Sequence, residues 1–168
     1  MTVALDPLAY RRVVGRYATG VTVITTVLPG GERHAITCNS FTSVSLDPLL
    51  VLFCAEKIAR FHEAVLETGT WAVSVLTTEH ERASRHFAVR GRDLTEQFAP
   101  VPVTPGPLTG APVLHGALAA LECRTVSTTD AGDHTVVLGE VLGASVPDAE
   151  AEPLLYYEGG YRAVRPLD

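Results

Sequence analysis

Hydroxyl side chains crowd a short polar stretch, TCNSFTSVS at 37–45, which lies just before the apolar run LLVLFCA at 49–55. If the stretch is one extended strand, its side chains alternate between two faces. One face would then carry Thr37, Asn39, Phe41, Ser43 and Ser45. Buried hydroxyls and amides cost about 1–3 kcal/mol each unless they are hydrogen-bonded. The stretch therefore needs water, neighbouring backbone or a polar ligand, and a flat heteroaromatic ring with a phosphate tail would satisfy it.

Two cations follow the apolar run. Lys57, the only lysine of the chain, and Arg60 lie where the predicted strand gives way to a predicted helix. Helix N-terminal amides and cationic side chains both favour a phosphate group. The pair therefore suggests an anion site, although an ordinary charged helix start would have the same pattern.

His134 directly follows the turn sequence DAGD at 130–133 and opens a long predicted strand. A histidine there can face the mouth of a pocket, but position alone favours a solvated turn residue. His80 and His86 are six residues apart, which places them on different faces of a helix, so a shared metal is not predicted.

The common catalytic motifs are missing from the sequence. It contains no G-x-S-x-G, no G-x-x-x-x-G-K-[ST] and no H-E-x-x-H, and no G-x-G-x-x-G stands at a strand-to-helix junction. The sequence therefore gives no motif evidence for a serine hydrolase, a P-loop enzyme or a zinc protease.

The pattern along the chain predicts short helices among many strands. Helical spacing marks the segments 6–20, 57–69 and 79–91. Extended segments are predicted at 21–28, at AITC, at 49–55, at 71–76, and at 117–129 and 134–146, the last two joined as a hairpin. Residues 90–112 read as an irregular connection, and Glu158-Gly159-Gly160 closes a smaller hairpin.

This order predicts the fold class. Two hairpins and short helices fit a parallel doubly wound sheet badly. An antiparallel β-barrel with short peripheral helices fits better, because closure removes the exposed edges of β-branched strands. We therefore predict an α+β, mainly β, barrel-like fold, and the length of 168 residues predicts a single domain over 1–168.

The composition of the chain limits which binding partners and which cell compartment we expect for the protein. The net charge is −6 and the arginines are scattered, so nucleic acid is not an expected partner. Three cysteines without a C-x-x-C pair indicate a reducing cytoplasm, and no apolar run approaches the roughly 20 residues that cross a membrane. A mean hydropathy of +0.20 is high for a chain of this size, so we expect apolar surface to be covered in a homodimer.

Five segments, in order along nearly the whole chain, resemble the flavin reductase-like family. They are ATGVTVITT, ITCNSFTSVSLDPLLVLFC, PVLHGALAALEC, GDHTVVLGEV and EPLLYYEGGYRAV. Members of that family are the small reductase components of two-component flavin-dependent monooxygenases. The resemblance implies an FMN-binding split β-barrel, usually homodimeric, that transfers hydride from NADH or NADPH to FMN or FAD and supplies reduced flavin to a separate monooxygenase.

Matching positions imply site residues. The flavin-contacting stretch would comprise Thr37, Cys38, Asn39, Ser40, Ser43 and Ser45. The phosphate end would comprise Ala55, Lys57 and Arg60, while Phe87 and Tyr161 would lie near the pocket. His134 would lie beside the nicotinamide and the flavin ring. The resemblance thus favours a site residue at this position, whereas position alone favours a solvated turn histidine. Gln97 stands where the family commonly has a basic residue, and this departure is expected to weaken dinucleotide binding.

Two other functions remain open at this point. One is a flavin carrier or sensor without reductase turnover, which rapid NADH oxidation with added FMN would exclude. The other is an FMN oxidase of the pyridoxamine-phosphate-oxidase type, which absence of amine oxidation would exclude. The choices of FMN or FAD, and of NADH or NADPH, are also open.

Overall fold

The computed structural model describes residues 6–146 and 150–165. The α-helices are α1 (Pro7–Val14), α2 (Arg60–Thr68) and α3 (Glu81–Ala88), with a 3-10 turn at Thr78–His80 before α3. The strands are β1 (Thr19–Gly20), β2 (Thr22–Val27), β3 (Arg33–Cys38), β4 (Thr42–Leu46), β5 (Leu49–Glu56), β6 (Thr70–Val75), β7 (Val103–Pro105), β8 (Pro112–Leu114), β9 (Ala119–Ala131), β10 (His134–Ser145), β11 (Leu155–Tyr157) and β12 (Gly160–Arg162).

The main sheet curls because its two edges are joined by a very short connection. In the described part of the chain it has the order β3-β2-β6-β9-β10-β5-β4, with antiparallel pairing throughout. Residues 39–41 connect one edge strand to the other and can span only about 14 Å. Seven strands laid flat would separate those edges by about 29 Å. The sheet therefore closes most of the way into a barrel, which confirms the predicted antiparallel, barrel-like α+β fold.

Two apolar clusters occupy the two faces of the sheet. Strand β2 is buried on both of its faces, with Ile24 in one cluster and Val23 in the other. Burial on both faces explains why the sequence of β2 is rich in β-branched residues. Phe53 of β5 and Trp71 of β6 lie in the first cluster, with ring centroids 4.8 Å apart at 73°. α2 covers this cluster, and α3 brings Phe87 to the second.

Both predicted hairpins are confirmed. β9 and β10 are joined by Gly132 and Asp133, and the positive φ of 69° at Gly132 suits a type II′ turn. β11 and β12 are joined by Glu158 and Gly159, which both have positive φ as a type I′ turn requires. β1 pairs with β11 and extends this smaller sheet.

Several predicted boundaries are wrong for identifiable reasons. The first helix ends at Val14 rather than near Gly20, because Thr19 and Gly20 pair with β11. The second helix begins at Arg60 rather than Lys57, whose backbone N–H donates to Asp133 O at 3.0 Å instead. The connection at 90–112 is only partly irregular, since β7 and β8 form a short antiparallel pair that overlaps it.

Candidate functional site

A cavity of about 440 Å³ lies beside the open edge of β3. One wall is β3 itself, another is the start of α2, and the segment that follows α3 covers it. Its lining includes Thr37, Glu56, Arg60, Phe87, Arg90 and Arg92. The cavity thus lies where the edge strand β3, the start of α2 and the segment after α3 meet.

Ser84 of α3 joins three segments that are distant in the sequence. Thr37 Oγ1 donates to the Ser84 carbonyl at 2.6 Å, and Ser84 Oγ lies 2.7 Å from the Tyr161 hydroxyl. Phe87, three residues further on, is 1% exposed and lines the cavity. The structure therefore brings Thr37, Phe87 and Tyr161 together around α3. Sequence reasoning missed Ser84, although its spacing from Phe87 places both on one face of the helix.

The hydroxyl-rich stretch is not one strand, so the predicted alternation over 37–45 is wrong. β3 ends at Cys38 and β4 begins at Thr42. Ser40 turns the chain between them, because its Oγ accepts from Cys54 N at 2.9 Å and lies 3.0 Å from Cys38 Sγ. A backbone N–H and a thiol thus provide hydrogen-bond partners for one hydroxyl of the polar stretch.

The other polar residues of this stretch differ in exposure. Ser45 is half-buried and its Oγ accepts from Asp47 N at 3.2 Å. Asn39 and Ser43 are exposed, one in the connection and one on β4. Cys38 is buried, and this burial raises the pKa of its thiol, so the side chain acts as a small apolar group beside Thr37.

Positive charge gathers at the cavity. Arg92 Nη1 donates to Phe87 O and Val89 O at 2.9 Å each, and its Nη2 donates to Ala35 O. Burial, with a smaller contribution from nearby Arg60, lowers the pKa of Arg92. Its donors thus fasten the cavity cover to β3, and other cations must serve a ligand.

Arg60 and Arg90 are the exposed cations of the lining. Arg60 Nη2 donates to the Arg92 carbonyl, and Arg90 Nη2 pairs with Glu56 Oε1. Both side chains lie at the surface, so they can rotate toward an anion. The N-cap of α2 is Ala59, which has no side-chain acceptor for the amides of the first turn, and Ala59 itself lines the cavity. An open helix N-terminus beside two guanidinium groups suits a phosphate.

The other two residues of the predicted phosphate end lie elsewhere. Ala55 is fully buried in the first apolar cluster, so its side chain does not line the cavity. Lys57 Nζ donates to Asp130 Oδ2 at 2.5 Å and to Gly132 O at 2.7 Å, in the turn between β9 and β10. The structure therefore brings Arg60 to the cavity and turns Lys57 toward the turn that carries His134.

His134 lies at the same end of the barrel as the cavity. It is the first residue of β10 and pairs in register with Glu56, which itself lines the cavity. Its Nδ1 is 2.7 Å from Asp133 Oδ1, and its side chain is 38% exposed. This contact orients the ring, and the hydrogen bond with His134 lowers the pKa of Asp133.

Gln97 is buried in the segment that follows α3. It is 1% exposed, donates from Nε2 to Arg33 O at 2.6 Å and accepts from Arg92 Nε at 3.2 Å. It does not line the cavity, and its expected effect on dinucleotide binding stays a prediction. Gln97 and Arg92 instead cover the open edge of β3, a role that no sequence motif signalled.

Comparison with known proteins identifies relatives over nearly the whole chain. The family model described as flavin reductase like domain matches residues 14–165. An NADH-dependent FAD reductase of Streptomyces globisporus is 44% identical, over 96% of this chain and 87% of its own. The reductase subunit HsaB of a flavin-dependent monooxygenase from Mycobacterium tuberculosis is 39% identical, over 99% of this chain and 87% of its own.

Solved structures give the same result. The NADH:FAD oxidoreductase of Streptomyces globisporus, in complex with NAD and FAD fragments, superposes with a TM-score of 0.89 at 42% identity and 98% coverage of both chains. The flavin reductase component of a bacterial two-component tryptophan halogenase superposes with a TM-score of 0.87 at 40% identity, covering 96% of this chain and all of its own.

Proposed function

The chain belongs to the flavin reductase-like domain family, and we propose from this that it transfers a hydride from NADH to a flavin and releases the reduced flavin. It is an NAD(P)H-dependent flavin reductase on an antiparallel split β-barrel. Relatives are named NADH-dependent FAD reductase and FMN reductase (NADH), so NADH is the proposed donor, with FMN or FAD as the acceptor.

The observation that carries the assignment to this cavity is its combination of an open helix N-terminus, surface arginines and exposed apolar side chains. The positive end of α2 with Arg60 fits a phosphate, and Ile58 and Val89 of the lining offer apolar contacts to a ring. A volume of about 440 Å³ lies in the ordinary range for ligand pockets. The donor set therefore fits a flavin nucleotide.

The protein supplies position rather than acid–base chemistry. The bound flavin provides the hydride acceptor, and the nicotinamide provides the hydride, so no catalytic proton donor is required. What the chain contributes is alignment of two rings at short distance. We assign this role to His134, whose ring is oriented by Asp133 at the cavity end of β10.

The proposed flavin contacts combine residues on the cavity with residues on its rim. Thr37, Arg60 and Phe87 line the cavity directly, and Tyr161 supports that wall through Ser84. The other proposed contacts follow Thr37 along the chain, at the end of β3, in the connection and on β4: Cys38, Asn39, Ser40, Ser43 and Ser45. Ala55 offers only its backbone. Lys57 is the exception, because its ammonium bonds the β9–β10 turn and its side chain does not line the cavity.

Reduced flavin must reach a second enzyme if it is to be used. Relatives are named as the reductase subunit of a flavin-dependent monooxygenase and as the flavin reductase of styrene monooxygenase, which supports a separate monooxygenase partner for this chain. The cavity is open on one side, which suits exchange of flavin rather than permanent retention. Within residues 6–146 and 150–165 no helix is long and apolar enough to cross a membrane. The free cysteines support our placement of the enzyme in a reducing cytoplasm.

A homodimer is the proposed assembly. Leu46 and Leu49 lie opposite each other at the β4–β5 turn and are 85% and 52% exposed, and Val44 beside them is 47% exposed. We call these three residues the β4–β5 apolar patch. Such a patch on a sheet edge is costly in water, and a second copy of the chain would cover it.

The experiment is NADH oxidation by the purified protein with FMN, FAD, riboflavin or no flavin added. The proposal predicts turnover that depends on added flavin. Flavin binding without NADH oxidation would support a carrier or sensor instead, and oxidation of amines with tightly retained FMN would support an oxidase.

A further inference from the structure

Lys57 hydrogen-bonds the turn between β9 and β10 and the end of β9. Its backbone N–H donates to Asp133 O at 3.0 Å, and its ammonium donates to Gly132 O at 2.7 Å and to Asp130 Oδ2 at 2.5 Å. The residue that follows β5 thus contacts both residues of the two-residue turn and Asp130, the second-last residue of β9.

The turn that Lys57 holds ends at His134. Gly132 and Asp133 are the whole turn, so any rotation of it moves the histidine that follows and the carboxylate that orients it. His134 pairs with Glu56, the residue before Lys57, so the hydrogen bonds of Lys57 lie directly beside the histidine. Lys57 is therefore placed to fix His134 relative to the strand that leads into α2 and the cavity.

An ordinary surface ion pair is the alternative explanation. The Lys57 and Asp130 side chains are 33% and 81% exposed, and isolated exposed pairs add little stability. A pair of that kind would not also bond a turn carbonyl and the turn backbone. The hydrogen bond from Lys57 is also the main cause of the lowered pKa of Asp130.

We propose that Lys57 is a positioning residue that holds the β9–β10 turn, and through it His134, in place for the nicotinamide, rather than a ligand of the flavin phosphate. This inference rests on the proposed reductase function. It separates Lys57 from Arg60, because only Arg60 of the two lines the cavity.

The test compares Lys57→Met and Asp130→Asn with Arg124→Met as a control. Arg124 forms an exposed ion pair with Glu140 at 2.7 Å on the same two strands but away from the turn. We expect Lys57→Met and Asp130→Asn to raise KM for NADH several-fold, with flavin Kd unchanged and kcat at saturating NADH little changed. Lys57→Arg should restore part of the loss, and Arg124→Met should resemble the wild type.

A second measurement does not depend on reductase activity. Amide hydrogen exchange of the protein without ligands should become faster at Asp133, His134 and Thr135 in Lys57→Met, while amides of β2 and β6 keep their protection. Flavin Kd that rises in Lys57→Met with KM for NADH unchanged would overturn the proposal, and so would unchanged exchange at the turn. A wild type without NADH oxidation would refute the reductase function, and the exchange result would still decide whether Lys57 holds the turn.

Discussion

His134 is the residue whose replacement tests the site most sharply. Replacement by alanine removes the ring that Asp133 orients, while Arg60 and Thr37 on the cavity remain. We predict that His134→Ala raises KM for NADH by roughly tenfold or more, because misplacement of one reactant by about 1 Å can lower rates by up to two orders of magnitude. Flavin Kd should rise much less. Steady-state kinetics and flavin titration measure the two effects.

His115→Ala provides the control for this substitution. His115 is exposed and its Nε2 lies 2.6 Å from Thr104 Oγ1, in a segment that does not line the cavity. Its loss should leave both constants as in the wild type. Unchanged kinetics in His134→Ala would remove His134 from the site.

The three cysteine thiols give a second prediction about individual residues. Burial raises the pKa of Cys38 and raises that of Cys123 to about 12, and thiolate is the reactive form. Because a raised pKa keeps a thiol protonated until the pH exceeds it, neither should react with an aromatic disulfide reagent at mildly alkaline pH. Native protein should therefore show at most the single half-buried Cys54 as reactive, and unfolded protein all three. Rapid modification of Cys38 or Cys123 in native protein would contradict this burial.

Sequence patterns located some residues of the site and could not assign others. Thr37, Arg60 and Phe87, which the resemblance to the family implies as site residues, do line the cavity. Ser84 and Arg92 were missed because their partners lie in other segments. The Ser84 carbonyl accepts from Thr37 and its hydroxyl meets that of Tyr161, while Arg92 donates to the Ala35 carbonyl. Such long-range partners depend on the fold and leave no local pattern.

At the scale of elements, the segment that follows α3 is held by hydrogen bonds of Gln97 and Arg92. Gln97 and Arg92 bond carbonyls on the open edge of β3 and so hold the cavity cover in place. We predict that Gln97→Ala lowers the free energy of unfolding by about 1–3 kcal/mol, because it leaves the Arg33 carbonyl and Arg92 Nε without a partner. Flavin affinity should fall with it. Denaturant unfolding and flavin titration measure these changes.

Glu96→Ala is the matched control, since Glu96 is the exposed neighbour of Gln97. It should change neither quantity appreciably. A Gln97→Ala protein as stable as the wild type would show that the cover is held by other contacts.

Elements with a strong local pattern were predicted well, and those set by long-range pairing were not. The β-branched run of β2 and the glycine that ends α2, with φ of 62°, are visible in the sequence. The break between β3 and β4 is not, because it depends on Ser40 bonding the backbone of β5. The early end of α1 likewise follows from the pairing of β1 with a strand near the other end of the chain.

At the scale of the whole molecule, the β4–β5 apolar patch gives a prediction about assembly. We expect Leu46→Asp combined with Leu49→Asp to convert a homodimer into a monomer, because paired carboxylates at the turn cannot be buried together. Analytical ultracentrifugation would measure the change, with Leu66→Asp on the exposed side of α2 as the control. Wild-type protein that sediments as a monomer would contradict the proposed assembly.

Whole-molecule shape was predicted only in outline. Antiparallel pairing and barrel-like closure followed from the order of strands and hairpins. The position of the split in the barrel could not be predicted in this way, because it depends on β3 and β4 occupying opposite edges of the sheet. The cavity beside that split therefore emerged only with the structure.

Direct transfer of hydride from NADH to flavin is the central claim, and anaerobic rapid mixing tests it. Protein and flavin would be mixed with NADH, or with NADH deuterated at the transferred position, while loss of oxidised-flavin absorbance is followed. We predict bleaching at least as fast as steady-state turnover, and slower bleaching with deuterated NADH. Bleaching no faster than in a sample without protein, or NADH oxidation that leaves the flavin oxidised, would contradict the claim.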